Sequence, residues 1–275
     1  MRGFTLTELA VVFAIVALLL ASAMYTLSAQ TEQRNFEETR RRLEDARNLV
    51  LAFAMVNGRL PCPARSTSSG DEVRIPDLPV TADSGKCQDA VPVEDYYGGV
   101  VGGVTRGLLP ARAIGYQNVD AQGFAIDAYN NRIRYAVEKF VTDCAGSSTL
   151  PHFTYPTNMK LNGITCQPRD LLVCKSVTGI NGTPGATSCG AAGNILTNQK
   201  IVVAVVYSVG KNFSSVGTGG ADEAANTNIA GANDPVFVFH TPAPPGAAGG
   251  EFDDYLVWIT VGELYGRLIA AGKLP

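Results

Sequence analysis

The chain has 275 residues, enough to bury one large core or two small ones. Hydrophobic residues make up 46% and charged residues 17%, a balance that excludes both a disordered chain and one embedded throughout in a membrane. The formal net charge of −3 lacks the basic excess of a nucleic-acid-binding surface, so no nucleic-acid partner is expected.

The N-terminus carries a long apolar run. From Leu9 to Leu27 only Ser22 and Thr26 are polar, and these 19 residues are long enough for a helix to span a bilayer core. Arg2 precedes the run, and the positive-inside tendency places that end in the cytoplasm and the residues after Gln30 on the outer face.

Glu8 stands at the head of this apolar run. A carboxylate there is costly in lipid unless it is paired, which indicates a function, although a solvated position at the headgroups is the alternative. Ala21-Ser22-Ala23 offers a competing interpretation, because it is similar to a secretory cleavage site that would release a soluble chain starting at Met24. The length of the run and the acid at its head favour the membrane helix.

The segment Gly3-Phe4-Thr5-Leu6-Thr7-Glu8, followed by the apolar run, resembles the prepilin peptidase site of type IV pilins and type II secretion pseudopilins. The resemblance implies cleavage between Gly3 and Phe4, methylation of the new amine on Phe4, and pairing of Glu8 with the amine of a neighbouring subunit. It also implies an inner-membrane, single-pass protein with a periplasmic head. Its partners would be prepilin peptidase, other pilin or pseudopilin subunits, the membrane and an inner-membrane assembly platform, and it would assemble into a periplasmic or extracellular filament.

A helical pattern continues beyond the apolar run. No proline or glycine occurs from Thr31 to Asn57, and Gly58 then Pro61 predict the end of the helix. Apolar residues at helical spacing form a stripe that should pack on the rest of the chain: Phe36, Leu43, Ala46, Leu49, Val50 and Phe53. The predicted organisation is a leader at 1–3, a transmembrane and amphipathic helix at 4–57, and a globular head at 58–275.

The head has the pattern of a β-rich unit. Residues 58–130 are rich in glycine and proline and are expected to be mostly irregular. Predicted strands lie at Arg132–Val137, Lys200–Ser208, Pro235–Phe239 and Tyr255–Ile259, and a short helix at Gly262–Ala271. The expected fold class is α+β and pilin-like, with the long helix packed on one antiparallel sheet.

Six cysteines follow the apolar run, an even number that favours disulfides although it permits about 15 pairings. Proximity in the sequence suggests Cys62–Cys87 and Cys174–Cys189 first, which leaves Cys144–Cys166. No CxxC spacing indicates a zinc or redox site, so structural bridges in an oxidising compartment are expected.

Three head segments also resemble pseudopilin-like proteins: Asp120–Gly123 leading to Tyr135, Tyr207–Asn212, and Phe252–Trp258. Major pseudopilins hold calcium near the C-terminal strand with a loop of closely spaced acids. Hard oxygen ligands of that kind predict a calcium site here, although the same acids can simply solvate a loop: Asp222, Glu223, Asn226, Asp253 and Asp254.

The expected function is therefore structural, as a minor pilin or pseudopilin. One alternative is an adhesin or binding module displayed on the filament, with the loops from Cys144 to Cys189 as its binding surface. The other is a membrane-tethered periplasmic enzyme. The sequence contains no HExxH, GxSxG or Walker-type loop, and His152 and His240 are its only histidines, so no catalytic function is expected.

Overall fold

The computed structural model describes residues 5–81, 83–88, 94–142, 144, 151–213, 219–227 and 234–274, and gives the backbone alone for 21–29. The described α-helices are α1 (Leu6–Asn57), α2 (Ala111–Ile114), α3 (Pro156–Asn162), α4 (Ala221–Thr227) and α5 (Val261–Ala270). The described strands are β1 (Gly99–Val101), β2 (Val104–Arg106), β3 (Arg134–Val137), β4 (Val141–Thr142), β5 (Gln167–Pro168), β6 (Leu172–Cys174), β7 (Val202–Ser208), β8 (Val236–Val238) and β9 (Tyr255–Thr260).

Helix α1 has defined signals at both ends. Thr5 and Glu8 form a capping box, in which each side chain hydrogen-bonds the backbone N–H of the other and satisfies amides that the helix leaves free. Gly58 follows Asn57 in the left-handed conformation, with φ 68°, and its N–H bonds to Ala54 O. The helix thus ends where the sequence predicts.

The core forms around the second part of α1. The predicted stripe is confirmed, since Leu43, Ala46 and Val50 are fully buried and Leu49 and Phe53 pack partly buried against them. This face lies against β7, β9, α2 and α5. Arg47 fixes the helix further, because its Nε donates to Trp258 O over 2.8 Å and its guanidinium pairs with Glu263.

The central sheet has the order β3-β7-β9, with both pairings antiparallel. All seven residues of β7 are buried, because this strand lies in the middle of the sheet. The predicted strands at Arg132–Val137, Lys200–Ser208, Pro235–Phe239 and Tyr255–Ile259 are confirmed as β3, β7, β8 and β9, and the predicted terminal helix as α5.

The α+β class is what the structure shows, but the predicted plan of one antiparallel sheet under a membrane-type helix is wrong. The described strands form one three-stranded and three two-stranded sheets, and β6 pairs with β8 in parallel. The glycine- and proline-rich connections interrupt the strands after a few residues, and the long segment between β6 and β8 lets the chain return in the same direction.

The predicted inner-membrane anchor is also corrected. In the described part of the chain, no helix is both long and apolar enough to cross a membrane. A single-pass location with a periplasmic head is therefore not supported.

Candidate functional site

The candidate site is a cluster of three acids, Glu223, Asp253 and Asp254. Glu223 lies in the first turn of α4, and the two aspartates come directly before β9. One carboxylate oxygen from each residue lies within 4.8 Å of those of the other two. Glu223 and Asp254 are almost fully buried and Asp253 is half-buried. The fold thus brings together acids that lie thirty residues apart in the sequence.

Hydrogen bonds hold Glu223 in this position. Its Oε1 accepts from Asp253 N over 2.7 Å, and its Oε2 accepts from Asn212 Nδ2 over 2.9 Å. These bonds join the start of α4 to the loop after β7 and to the residues before β9.

The two aspartates differ in how they are satisfied. Asp254 Oδ2 accepts from Asn226 Nδ2 over 2.8 Å, and Asp253 Oδ2 accepts from Lys211 N over 3.1 Å. Asp253 Oδ1 is buried without a hydrogen-bond partner in the structure as described. Because a buried carboxylate oxygen without a donor is unfavourable, this atom indicates that the cluster takes a proton or a cation.

The charge of the cluster is not balanced by the protein. Burial, with the neighbouring charge of Glu223, raises the pKa of Asp253 to about 7, and burial raises the pKa of Asp254 well above its usual range. Among the described residues no cationic side chain forms an ion pair with these three acids. The nearby Lys211 ammonium pairs instead with Glu32 over 2.7 Å and Glu251 over 3.4 Å.

Two glycines make room for the carboxylates. A Cβ on Gly210 would lie 1.6 Å from Asp253 Oδ1, and a Cβ on Gly219 would lie 1.8 Å from Glu223 Oε2. Gly210 also has φ +65°, a left-handed conformation that side chains rarely adopt. Any other residue at either position would displace an acid of the cluster.

The structure separates the five predicted calcium ligands into different roles. Glu223, Asp253 and Asp254 come together. Asp222 does not join them, because the next position along a helix points about 100° away; its carboxylate lies 3.2 Å from His240 Nε2 and accepts from Val177 N.

Asn226 orients the cluster without offering it an oxygen. It lies one turn after Glu223 and donates to Asp254 and to Val238 O, while its own Oδ1 accepts from Val238 N over 2.7 Å. Asn212, Gly210 and Gly219 were missed by the sequence analysis. The glycines give a signal only as turn formers, and nothing in the sequence places them beside an acid.

The donor set fits a calcium ion. Three carboxylates converge, one oxygen lacks a donor, and calcium prefers hard oxygen ligands of this kind. Glu223, Asp253 and Asp254 would hold the ion, which would offset most of their negative charge and tie α4 to the start of β9. Calcium binding stays a prediction.

The predicted processing and assembly residues lie at the start of the chain. Gly3 and Phe4 fall outside the described residues. Glu8 is exposed in the first turn of α1, where its Oε2 accepts from Thr5 N over 2.9 Å and from Thr5 Oγ1 over 2.8 Å.

All three predicted disulfides are confirmed. Cys62 pairs with Cys87, Cys144 with Cys166, and Cys174 with Cys189, which leaves no free cysteine. Cys62 and Cys87 are fully buried, and their bridge closes the irregular segment that follows α1 onto the core. The bridges therefore serve the fold of the head.

Comparison with known proteins gives no significant match: no protein-family model, no curated protein and no solved structure is similar to this chain.

Proposed function

We propose that this chain is a structural subunit, a pilin or pseudopilin, of a type IV pilus or a type II secretion filament. The observation that carries the proposal is the exposed apolar surface on the first part of α1. Large apolar side chains at 44–86% exposure cover most of the surface of this segment: Leu6, Leu9, Val11, Val12, Phe13, Ile15, Val16, Leu18, Leu19 and Leu20. A contiguous apolar surface of this kind marks contact with another apolar surface.

The contrast along this one helix supports self-assembly. Leu43 and Val50 are fully buried against the head, whereas Leu18 is 72% exposed. Burying one leucine side chain contributes about 1.5–3 kcal/mol. Several copies of the segment packed side by side would therefore bury a large apolar surface, while their heads stay outside the packed helices.

Glu8 gives the packed helices a register. In the single chain its carboxylate contacts only Thr5 among the described residues, and it is exposed at the tip of the helix. In the filament it pairs with the methylated amine that cleavage leaves on Phe4 of a neighbouring copy. Removing one member of such a pair leaves an uncompensated charge among apolar helices, a cost of about 3–5 kcal/mol for a buried pair.

The head is displayed in a fixed orientation on the helix. Arg47 of α1 binds both the backbone of β9 and Glu263 of α5. These contacts attach the head directly to the helix. A head of this size favours a minor or tip position over that of the main repeating subunit.

The first experiment determines the intact mass and N-terminal sequence of the protein from its native host. We expect a chain that begins at methylated Phe4. A chain that retains Met1, or one that begins at Met24, would refute processing by prepilin peptidase and with it the proposed function.

A second experiment tests assembly through Glu8. We expect Glu8→Ala to be cleaved normally but to enter filaments poorly, measured as the share of subunit that sediments with sheared filaments. Glu37→Ala, which removes an exposed glutamate from the same helix, is the matched control and should assemble normally. Equal incorporation of both variants would contradict the role of Glu8.

A further inference from the structure

Arg134, the first residue of β3, is a buried cation whose charge the described protein does not balance. Its side chain is 5% exposed, and its Nε has no hydrogen-bond partner. Within the described ranges, no acid forms an ion pair with this guanidinium, whose nearest ring contact is Phe213, 5.4 Å from Cζ to the ring centroid. Burying an ionised group without a counter-charge costs several kcal/mol.

Other buried arginines of the head are treated differently. Arg65 and Arg106 are as buried as Arg134, and both pair with the fully buried carboxylate of Asp95. The partly buried Arg42 of α1 likewise has acceptors, the carbonyl oxygens of Ile126 and Asp127 and the carboxylate of Glu38. The fold therefore supplies acceptors where a guanidinium is needed for structure, and Arg134 stands apart from that rule.

Tyr207 adds a neutral donor beside Arg134. The two residues lie directly opposite each other in the antiparallel pair β3–β7, so their side chains share one face of the sheet. Burial raises the pKa of Tyr207 to about 12, against the opposing effect of Arg134, so the phenol keeps its proton and can donate a hydrogen bond.

The surroundings of the pair are close-packed and carry charges of both signs. Gly98 flanks the phenol, since a Cβ built on it would lie 3.9 Å from Tyr207 Oη. Two further charges act on the pair: Arg132 adds positive potential at Arg134, and the buried Asp254 lies near enough to act on Tyr207. A ligand here must be small, because Arg134 is nearly enclosed.

We propose that Arg134 and Tyr207 form a binding site for a compact oxyanion of carboxylate or phosphate type. The planar guanidinium offers paired N–H donors that match two oxygens of such an anion, the phenol O–H offers a third donor, and Phe213 lies near the guanidinium. The oxyanion comes either from solution or from a carboxylate side chain of a second copy of this chain.

The test measures the melting temperature of the full-length chain in chloride buffer and after addition of acetate, phosphate or sulfate at matched ionic strength. We expect one or more of these oxyanions to raise the melting temperature of the wild-type chain. Arg134→Met should melt higher than the wild type in chloride alone, because it removes an unbalanced charge, and should not respond to any oxyanion.

Two further variants make the test specific. Tyr207→Phe should fold and bind the oxyanion about fivefold more weakly, as expected for the loss of one neutral hydrogen bond. Arg112→Met removes an exposed arginine and should respond as the wild type does. The site is refuted if the wild type responds no more than Arg134→Met does, or if Arg112→Met loses the response too.

Sedimentation velocity identifies the source of the oxyanion. If a carboxylate of a second copy occupies the site, added acetate and Arg134→Met will both reduce self-association. If the anion comes from solution, the melting temperature will respond and the sedimentation of the chain will not. A chain in which neither quantity responds contradicts the proposal.

Discussion

Changing Asp253 to asparagine tests whether the acid cluster is a cation site. The substitution removes one of three negative charges at almost constant size. Burial and Glu223 hold the pKa of Asp253 at about 7, against an ordinary value of 3.8. Since one pKa unit corresponds to about 1.4 kcal/mol, keeping this carboxylate ionised in the folded chain costs up to about 4 kcal/mol.

The sign of the pH dependence follows from proton binding. Between pH 3.8 and about 7 the folded chain keeps a proton on Asp253 and the unfolded chain does not. Stability from this residue is therefore fully present below the unfolded value and is lost as pH rises towards 7. Asp253→Asn should lack this loss, and without calcium at about pH 8 it should be more stable than the wild type.

Calcium should reverse this order of stability, so that the wild type becomes more stable than Asp253→Asn. At a calcium concentration a hundredfold above its dissociation constant, binding to the folded state stabilises by about 2.7 kcal/mol. We expect that gain for the wild type at about pH 8 and a much smaller gain at about pH 5, where protons compete for the carboxylates. The assay is urea unfolding followed by circular dichroism, with a chelator or with excess calcium.

Asp222→Asn is the matched control, because it removes an acid from the same helix that pairs with His240 outside the cluster. It should keep the calcium response. The reasoning is refuted if calcium stabilises Asp253→Asn as much as the wild type, or if the wild type loses no more stability between pH 4 and 7 than Asp253→Asn does.

Two further predictions concern the stability of the head. Burial lowers the pKa of His152 to about 4, so the stability that the neutral imidazole contributes is present above the unfolded value of 6.5 and is lost as pH falls towards 4. His152→Gln should remove about 3 kcal/mol of this pH dependence, measured by urea unfolding. An unchanged profile of stability against pH would contradict the prediction. Leu43→Ala should cost about 2–5 kcal/mol of unfolding free energy, because Leu43 is fully buried. Val56→Ala, at a position 71% exposed on the same helix, should cost under about 0.5 kcal/mol. Similar losses for the two variants would refute the packing of α1.

Local patterns predicted much of the fold. The apolar stripe on α1, the stop at Gly58 and the strand of β-branched residues from Val202 depend on neighbours within a few positions, and the structure has all three. The disulfides were also predictable from proximity, because each bridge closes a short segment, with separations of 25, 22 and 15 residues.

Non-local pairing was not predictable in the same way. Strand β6 is only three residues long, and its partner β8 lies about sixty residues further along the chain. Neither strand contains a signal that selects a parallel partner, since the direction depends on the path of the long segment between them. The same limit explains why one antiparallel sheet was expected.

The acid cluster could be predicted from the sequence only in part. Residue chemistry suggested oxygen ligands from 222 to 226 and at 253 and 254, and three of those residues do meet. The choice between Asp222 and Glu223 depends on how α4 is rotated against β8, where Asn226 bonds the backbone of Val238. That rotation is a property of packing, which single residues do not encode.

Three features of the described chain depart from the usual rules of burial and charge pairing. The apolar segment from Leu6 to Leu20 is exposed, the acids around Asp253 are crowded together in a half-buried site, and Arg134 is buried without a counter-charge. Each is unfavourable for the isolated chain, and a different addition would correct each: a second copy, a divalent cation and an oxyanion. Because elements that violate local consistency tend to be functional, these three features are where the proposed second copy, cation and oxyanion should be tested first.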